Sequence, residues 1–236
     1  MKTAIIKDGE NNMQYRIEHG PAYAVLKVRL EAGESIWAEP GAMMLLRGPV
    51  RVETRAYGGV LTALKRALFG GESFFLNRYV AEGPAEVWLV PGTPGDIATI
   101  DMQGGGSWIV QDTSYLAHSG DINVDVAWRG LRGLIAEGEI VWLKLEGRGL
   151  AWISSYGAID KIDVPPGEKV VIDNFHFVAM SADAKWSVRK FGDLKSFIFG
   201  GEGFVIEIEG PATVYVQSRM LPLFARLLQK FLPRQS

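Results

Sequence analysis

Short apolar runs rich in β-branched and aromatic residues alternate along this chain with polar turns that carry Gly and Pro. That is the pattern of strands. Three stretches open on a glycine turn and then read apolar strand, polar pair, apolar strand: Gly33–Met44, Gly105–Leu116 and Gly167–Val178. A second block follows each, starting at Gly71-Glu72, Gly138-Glu139 and Gly201-Glu202. Each of these passes a further glycine turn (Gly83-Pro84, Gly147-Arg148, Gly210-Pro211) into a closing strand, Glu86–Leu89, Leu150–Ile153 and Thr213–Val216. The Gly-Glu pairs recur 67 and 63 positions apart, Glu72 to Glu139 to Glu202. The expectation is an all-β chain of three tandem pseudo-symmetric repeats, about 24–90, 91–155 and 156–219. One unit is too small to bury its own faces, so the three are expected to fold as a single domain over 1–219, stacked around a pseudo-threefold axis.

Two stretches depart from the strand pattern. Residues 60–69 place Leu61, Leu64 and Leu68 at helical spacing, with Lys65 and Arg66 elsewhere. The C-terminal segment, residues 220–236, predicts an amphipathic helix with Phe224, Leu227, Leu228 and Phe231 on one face and Leu221 leading in. Arg226, Gln229 and Lys230 lie opposite, Pro222 suits the first turn and Pro233 ends it. Such a stripe must be covered, by the open end of the β body, by a second subunit, or by an anionic membrane surface. These apolar residues are the candidate interface.

Composition narrows the classes. The chain is 47% hydrophobic with seven Trp, enough for a substantial core. A net charge of −2 lacks the concentrated basic face of a nucleic-acid binder. The absence of cysteine excludes disulfides, thiolate metal sites and thiol catalysis, and fits a reducing compartment. Charge enters too early at Lys2 and Lys7 for a signal-peptide core, and no apolar run reaches the roughly 20 residues of a spanning helix. The expected setting is the cytoplasm.

Candidate chemistry is sparse. His118 and His176 stand at near-equivalent repeat positions, where convergence on the axis would offer two imidazoles to a metal; the first unit has Met44 or Leu45 there, poor third ligands. Core or strand-edge histidines bonded to backbone are the preferred reading. Glu72, Glu139 and Glu202 would bring three carboxylates to one axis for a hard cation, but Gly-Glu before a strand is also an ordinary turn, and that reading is preferred. The aspartates pair no acid with a base, no Ser sits in a Gly-x-Ser-x-Gly elbow, and Gly104–Gly106 lacks the Lys-Ser/Thr of a phosphate loop. No catalytic residue, resident metal, cofactor or identifiable small-molecule ligand is expected.

Several of these motifs carry a resemblance. Gly71-Glu72-Ser73-Phe74, Ser114-Tyr115-Leu116-Ala117, Ser155-Tyr156-Gly157, Val171-Ile172-Asp173-Asn174, Gly200-Gly201-Glu202-Gly203 and Val216-Gln217-Ser218-Arg219, in that order from about residue 13 to 219, resemble the altered-inheritance-of-mitochondria twenty-four family. The resemblance implies a fold similar to the tryptophan RNA-binding attenuation protein, a β-sandwich or short double-stranded β-helix. It implies no catalytic residue or cofactor, and the attenuation protein's basic RNA-binding edge is not matched, since the corresponding turns carry Glu, Gly and Asp. Mitochondrial members are linked to inner-membrane organisation, but this chain opens on no Arg-rich leader. The expected function is a non-enzymatic scaffold or assembly protein that forms a homo-oligomer. A small-ligand or metal-binding β-sandwich, cupin-like without the cupin ligand spacing, and a peripheral membrane-organising protein are the alternatives.

Overall fold

The structure, a computed structural model, describes residues 13–56, 75–129, 141–191 and 204–232. Seventeen strands and one α-helix lie within them. The strands are β1 (Gln14–Glu18), β2 (Val25–Leu30), β3 (Ser35–Ala38), β4 (Met43–Arg47), β5 (Val50–Ala56), β6 (Phe75–Ala81) and β7 (Ala85–Leu89). They continue as β8 (Ile97–Asp101), β9 (Ser107–Gln111), β10 (Tyr115–Arg129), β11 (Val141–Ser154), β12 (Ile159–Val164) and β13 (Lys169–Asp173). The last four are β14 (Phe177–Ser181), β15 (Lys185–Lys190), β16 (Phe204–Glu209) and β17 (Ala212–Gln217), and the helix α1 is Leu221–Gln229.

All the strand ladders are antiparallel. A four-stranded sheet runs β1-β2-β7-β4, and a three-stranded one runs β13-β16-β15. Between them a ten-stranded sheet runs β12-β17-β14-β9-β11-β10-β3-β6-β5, with β8 added on β11. The described residues are thus all-β with one C-terminal helix, as the pattern predicts for them; the helical stretch expected at 60–69 lies outside the described residues. Pairing follows one scheme in each third of the chain. β7, the second half of β11 and β17 each lie between two strands of their own third: β2 and β4, β8 and β10, β12 and β14. Likewise β6, the first half of β11 and β16 lie between β3 and β5, β9 and β10, β13 and β15.

Burial follows strand alternation, because successive side chains point to opposite faces. On β7, Ala85, Val87 and Leu89 are buried while Glu86 and Trp88 face outward. Three apolar clusters result, and each borrows from a neighbouring third. Beneath the four-stranded sheet, Leu26, Val28, Leu30, Val87 and Leu89 pack with Leu116, Leu150 and Trp152 from β10 and β11. Ile172, Phe177, Ile206 and Ile208 pack with Ile109 and Trp142. The middle cluster takes Leu76 from β6 and Val178 and Ala179 from β14. Backbone links cross the thirds too, β3 with β10 and β9 with β14. No third closes its core alone.

One sequence expectation is corrected. Gly147-Arg148 reads as a turn by analogy with Gly83-Pro84 and Gly210-Pro211, but it lies inside the continuous strand β11. There β11 crosses β10 at Gly120, paired with Gly149. A Cβ on Gly149 would stand 2.0 Å from the Ser119 carbonyl oxygen, and one on Gly147 would stand 2.1 Å from that of Asp121. Both have positive φ, 149° and 136°, which glycine alone adopts without cost. The glycines let two backbones approach within one long ribbon. They do not end it.

Candidate interface

At one end of the β body four connections are knotted together, and α1 starts from that knot. Gly95 and Gly157 form a parallel bridge, with Gly157 N–H donating to the Pro94 carbonyl at 3.0 Å. A Cβ on Gly95 would fall 1.7 Å from the Ser155 carbonyl oxygen, so only glycine fits. Buried Ser155 donates its hydroxyl to the Gly157 carbonyl at 2.7 Å. The Gln217 side chain ties two further segments. Its amide Oε1 accepts from Tyr156 N–H at 2.8 Å, and its Nε2 donates to the Phe175 carbonyl at 2.7 Å. His176 Nδ1 donates to the Gln217 carbonyl at 2.6 Å. Ser218 accepts from Ala158 N–H at 2.9 Å, and Arg219 N–H donates to the Tyr156 carbonyl at 3.2 Å.

Helix α1 leaves this rigid end with Met220 at its N-cap and Pro222 in its first turn. Phe224 meets the Tyr156 ring at a centroid distance of 6.0 Å. No residue of α1 is buried. Leu221, Leu223, Phe224, Leu227 and Leu228 are exposed, and Phe231 and Leu232 beyond it are 79% and 63% exposed. Its only charges are basic, Arg226 within it and Lys230 at its C-cap. In isolation a helix shorter than about 12–15 residues is marginal in water, and stability in proteins comes from packing of the apolar face. This nine-residue helix shows that face to solvent.

The remaining sequence candidates separate. Leu61, Leu64, Leu68, Glu72, Glu139 and Glu202 lie outside the described residues. His118 is fully buried on β10, paired across to Trp37 of β3. Its Nδ1 and the Tyr115 hydroxyl are hydrogen-bonded at 2.6 Å, and its ring stacks on Trp37 at 6.1 Å. Burial pushes its pKa down to about 3, so the ring is neutral. His176 is used in the knot. Among the described residues no three His, Asp or Glu come together as a metal-binding group.

Reasoning from the sequence missed two features. One is the role of Tyr156 and Gln217, whose motifs mark the family but announce no contact. The other is Glu39, in the turn between β3 and β4, whose carboxyl is pushed up to about 8 by burial and then by the charge of Asp112. Two depressions, about 250 and 210 Å³, lie along the outer face of the four-stranded sheet and share Arg29 and Glu86. Around them Glu86 bridges Arg29 and Arg47, and Lys27 lies 3.9 Å over Trp88 while bonded to Glu18. These groups satisfy one another.

The family model described as Mitochondrial biogenesis AIM24 matches residues 15–219. An uncharacterised protein of Streptococcus pyogenes serotype M6 is 26% identical over 96% of this chain and 94% of its own length. The protein named Altered inheritance of mitochondria protein 24, mitochondrial, from Talaromyces marneffei is 23% identical over 85% of this chain, which spans 60% of that protein. A crystal structure of a Streptococcus pyogenes protein superposes with a TM-score of 0.77 at 27% identity, covering 93% of this chain and all of the other. The knot comes from Ser155-Tyr156-Gly157 and Val216-Gln217-Ser218-Arg219, motifs inside the matched span, α1 follows just beyond it, and the chain belongs to the Mitochondrial biogenesis AIM24 family.

Proposed function

We propose that this chain is a non-enzymatic assembly protein that associates with further copies of itself through α1. The observation that carries it is the exposed apolar face of a short helix fixed to a rigid hydrogen-bonded knot. A second copy presents the same stripe, so pairing removes both from water at about 25 cal/mol per Å² of apolar area. Arg226 and Lys230 sit off the stripe and stay solvated at the rim, as charged residues do in protein contacts. Descent of the three thirds from one unit belongs to the same reading, supported by their common pairing scheme.

Native mass by light scattering tests it. The expected result is a mass well above the 25.9 kDa of one chain, and a clearly lower one in a Leu227→Glu/Phe231→Glu variant that stays folded. A full-length chain that stays monomeric at high micromolar concentration overturns it. Sedimentation of that monomer with anionic vesicles would assign the same stripe to a lipid surface. No helix among the described residues is long and apolar enough to cross a membrane.

A further inference from the structure

Sulfur enters this chain only as thioether, because cysteine is absent. Its softest nucleophiles are therefore its seven methionines, of which six lie among the described residues. Their surroundings differ. Met13, Met102 and Met180 are core residues, 6%, 1% and 0% exposed. Met102 packs with Ile100 and Leu145, and Met180 with Phe177 and Trp142. Met220, the N-cap of α1, is half-buried. Met43 and Met44 stand apart at 46% and 54% exposed.

Neighbouring side chains on a strand point to opposite faces, so one of an adjacent pair is ordinarily turned inward. β4 departs from that rule for two reasons. It is an outer strand of the four-stranded sheet, laid against β7. Its register also slips between Met43, opposite Leu89, and Leu45, opposite Trp88, which leaves Met44 as the extra residue of a bulge. The inward position falls to Leu46, which packs on the cluster beneath the sheet. Two consecutive thioethers are thereby left in water.

We propose that Met43 and Met44 form a site of reversible sulfoxidation, with hydrogen peroxide as the oxidant. A sulfur lone pair attacks one peroxide oxygen and the O–O bond breaks. The departing hydroxide takes the proton of the transferred hydroxyl and leaves as water. The thioether gains one oxygen and gives up two electrons, and the peroxide is reduced by the same two. The product is a polar sulfoxide, which methionine sulfoxide reductases return to the thioether. Inside a core that change disrupts packing, but on β4 it places a polar group where water already stands. A core methionine reacts only while the fold is open around it, which holds its rate down. The exposed pair needs no opening, so oxidant is taken up at β4 before Met102 and Met180 are reached. The site is separate from α1 and does not depend on association there.

Treatment of the full, folded chain with hydrogen peroxide, followed by peptide mass mapping, tests this. The peptide carrying Met43 and Met44 is expected to gain oxygen at least about tenfold faster than those carrying Met102 and Met180, which wait on opening. Reductases for both sulfoxide epimers should then return it to its starting mass. A Met43→Leu/Met44→Leu chain should lose this fast uptake, while Met102 and Met180 react at their former rate. The oxidised chain should keep its melting temperature; a fall of more than about 5 °C would mean that these thioethers hold the fold, and overturns the proposal. Equal rates at the exposed and core methionines, fastest reaction at Met220, or sulfoxides that the reductases leave in place overturn it as well.

Discussion

The crossing of β10 with β11 and the helix α1 are both dense in apolar side chains, yet they obey opposite rules. At the crossing large apolar side chains are enclosed: Trp152, Tyr115, Leu145 and Ile153 are buried, and the backbones approach so closely that only glycine fits at 147 and 149. At α1 a comparable stripe is open to water, and Phe224 meets the Tyr156 ring. The first stabilises the fold. The second is left exposed, and the proposed association would cover it.

Substitutions that sharpen this contrast fall in a clear order. Gly149→Val should have the largest effect, because its Cβ would stand 2.0 Å from the Ser119 carbonyl and its φ of 149° suits no branched residue. A loss of more than about 4 kcal/mol in a denaturant melt is expected, among the largest effects single residues show. Trp152→Ala should follow, at about 3–5 kcal/mol, since it empties the seat of the Tyr15 ring 5.2 Å away. Trp152→Phe should cost clearly less, because the buried indole N–H has no hydrogen-bond partner among the described residues.

The pH dependence comes next, and its two contributions run in opposite directions. His118 takes a proton near its ordinary pKa of 6.5 when unfolded but only at about 3 when folded. Its contribution is therefore complete above 6.5 and is lost as pH falls toward 3. Glu39 is raised from 4.5 to about 8 in the fold, so its contribution is complete below 4.5 and is lost as pH rises toward 8. Thermal melts of His118→Gln should flatten the acid limb. Glu39→Gln should flatten the alkaline limb and gain on the order of 4 kcal/mol at pH 9 relative to its effect at pH 5. An unchanged alkaline limb in Glu39→Gln would remove that assignment.

Smallest for stability, and decisive for the contrast, are the helix substitutions. Leu227→Glu and Phe231→Glu should change unfolding free energy by less than about 0.5 kcal/mol, as exposed positions do. A loss of several kcal/mol in either would mean that α1 belongs to the fold after all.

Strand content and the C-terminal helix were legible, because alternation and turn residues act over a few positions of chain. The knot was not. Tyr156 and Gln217 are 61 positions apart, and neither motif states that a glutamine amide bridges two loops. Nor did Gly147-Arg148 reveal itself as strand, since a glycine pair that ends a strand and one that lets two strands cross look alike in sequence.

By itself, the sequence determined that this is an all-β chain of the AIM24 family with an apolar helix at its end, since local periodicity and motif order are properties of the chain. Only the tertiary structure decided which apolar stripes are used up inside. Leu116, Leu227 and Met44 are equally hydrophobic choices on paper, but Leu116 is enclosed by strands distant in sequence, while Leu227 and Met44 have no such neighbours and stay in water. Burial depends on what arrives from elsewhere in the chain, and that is settled only when the sheets close.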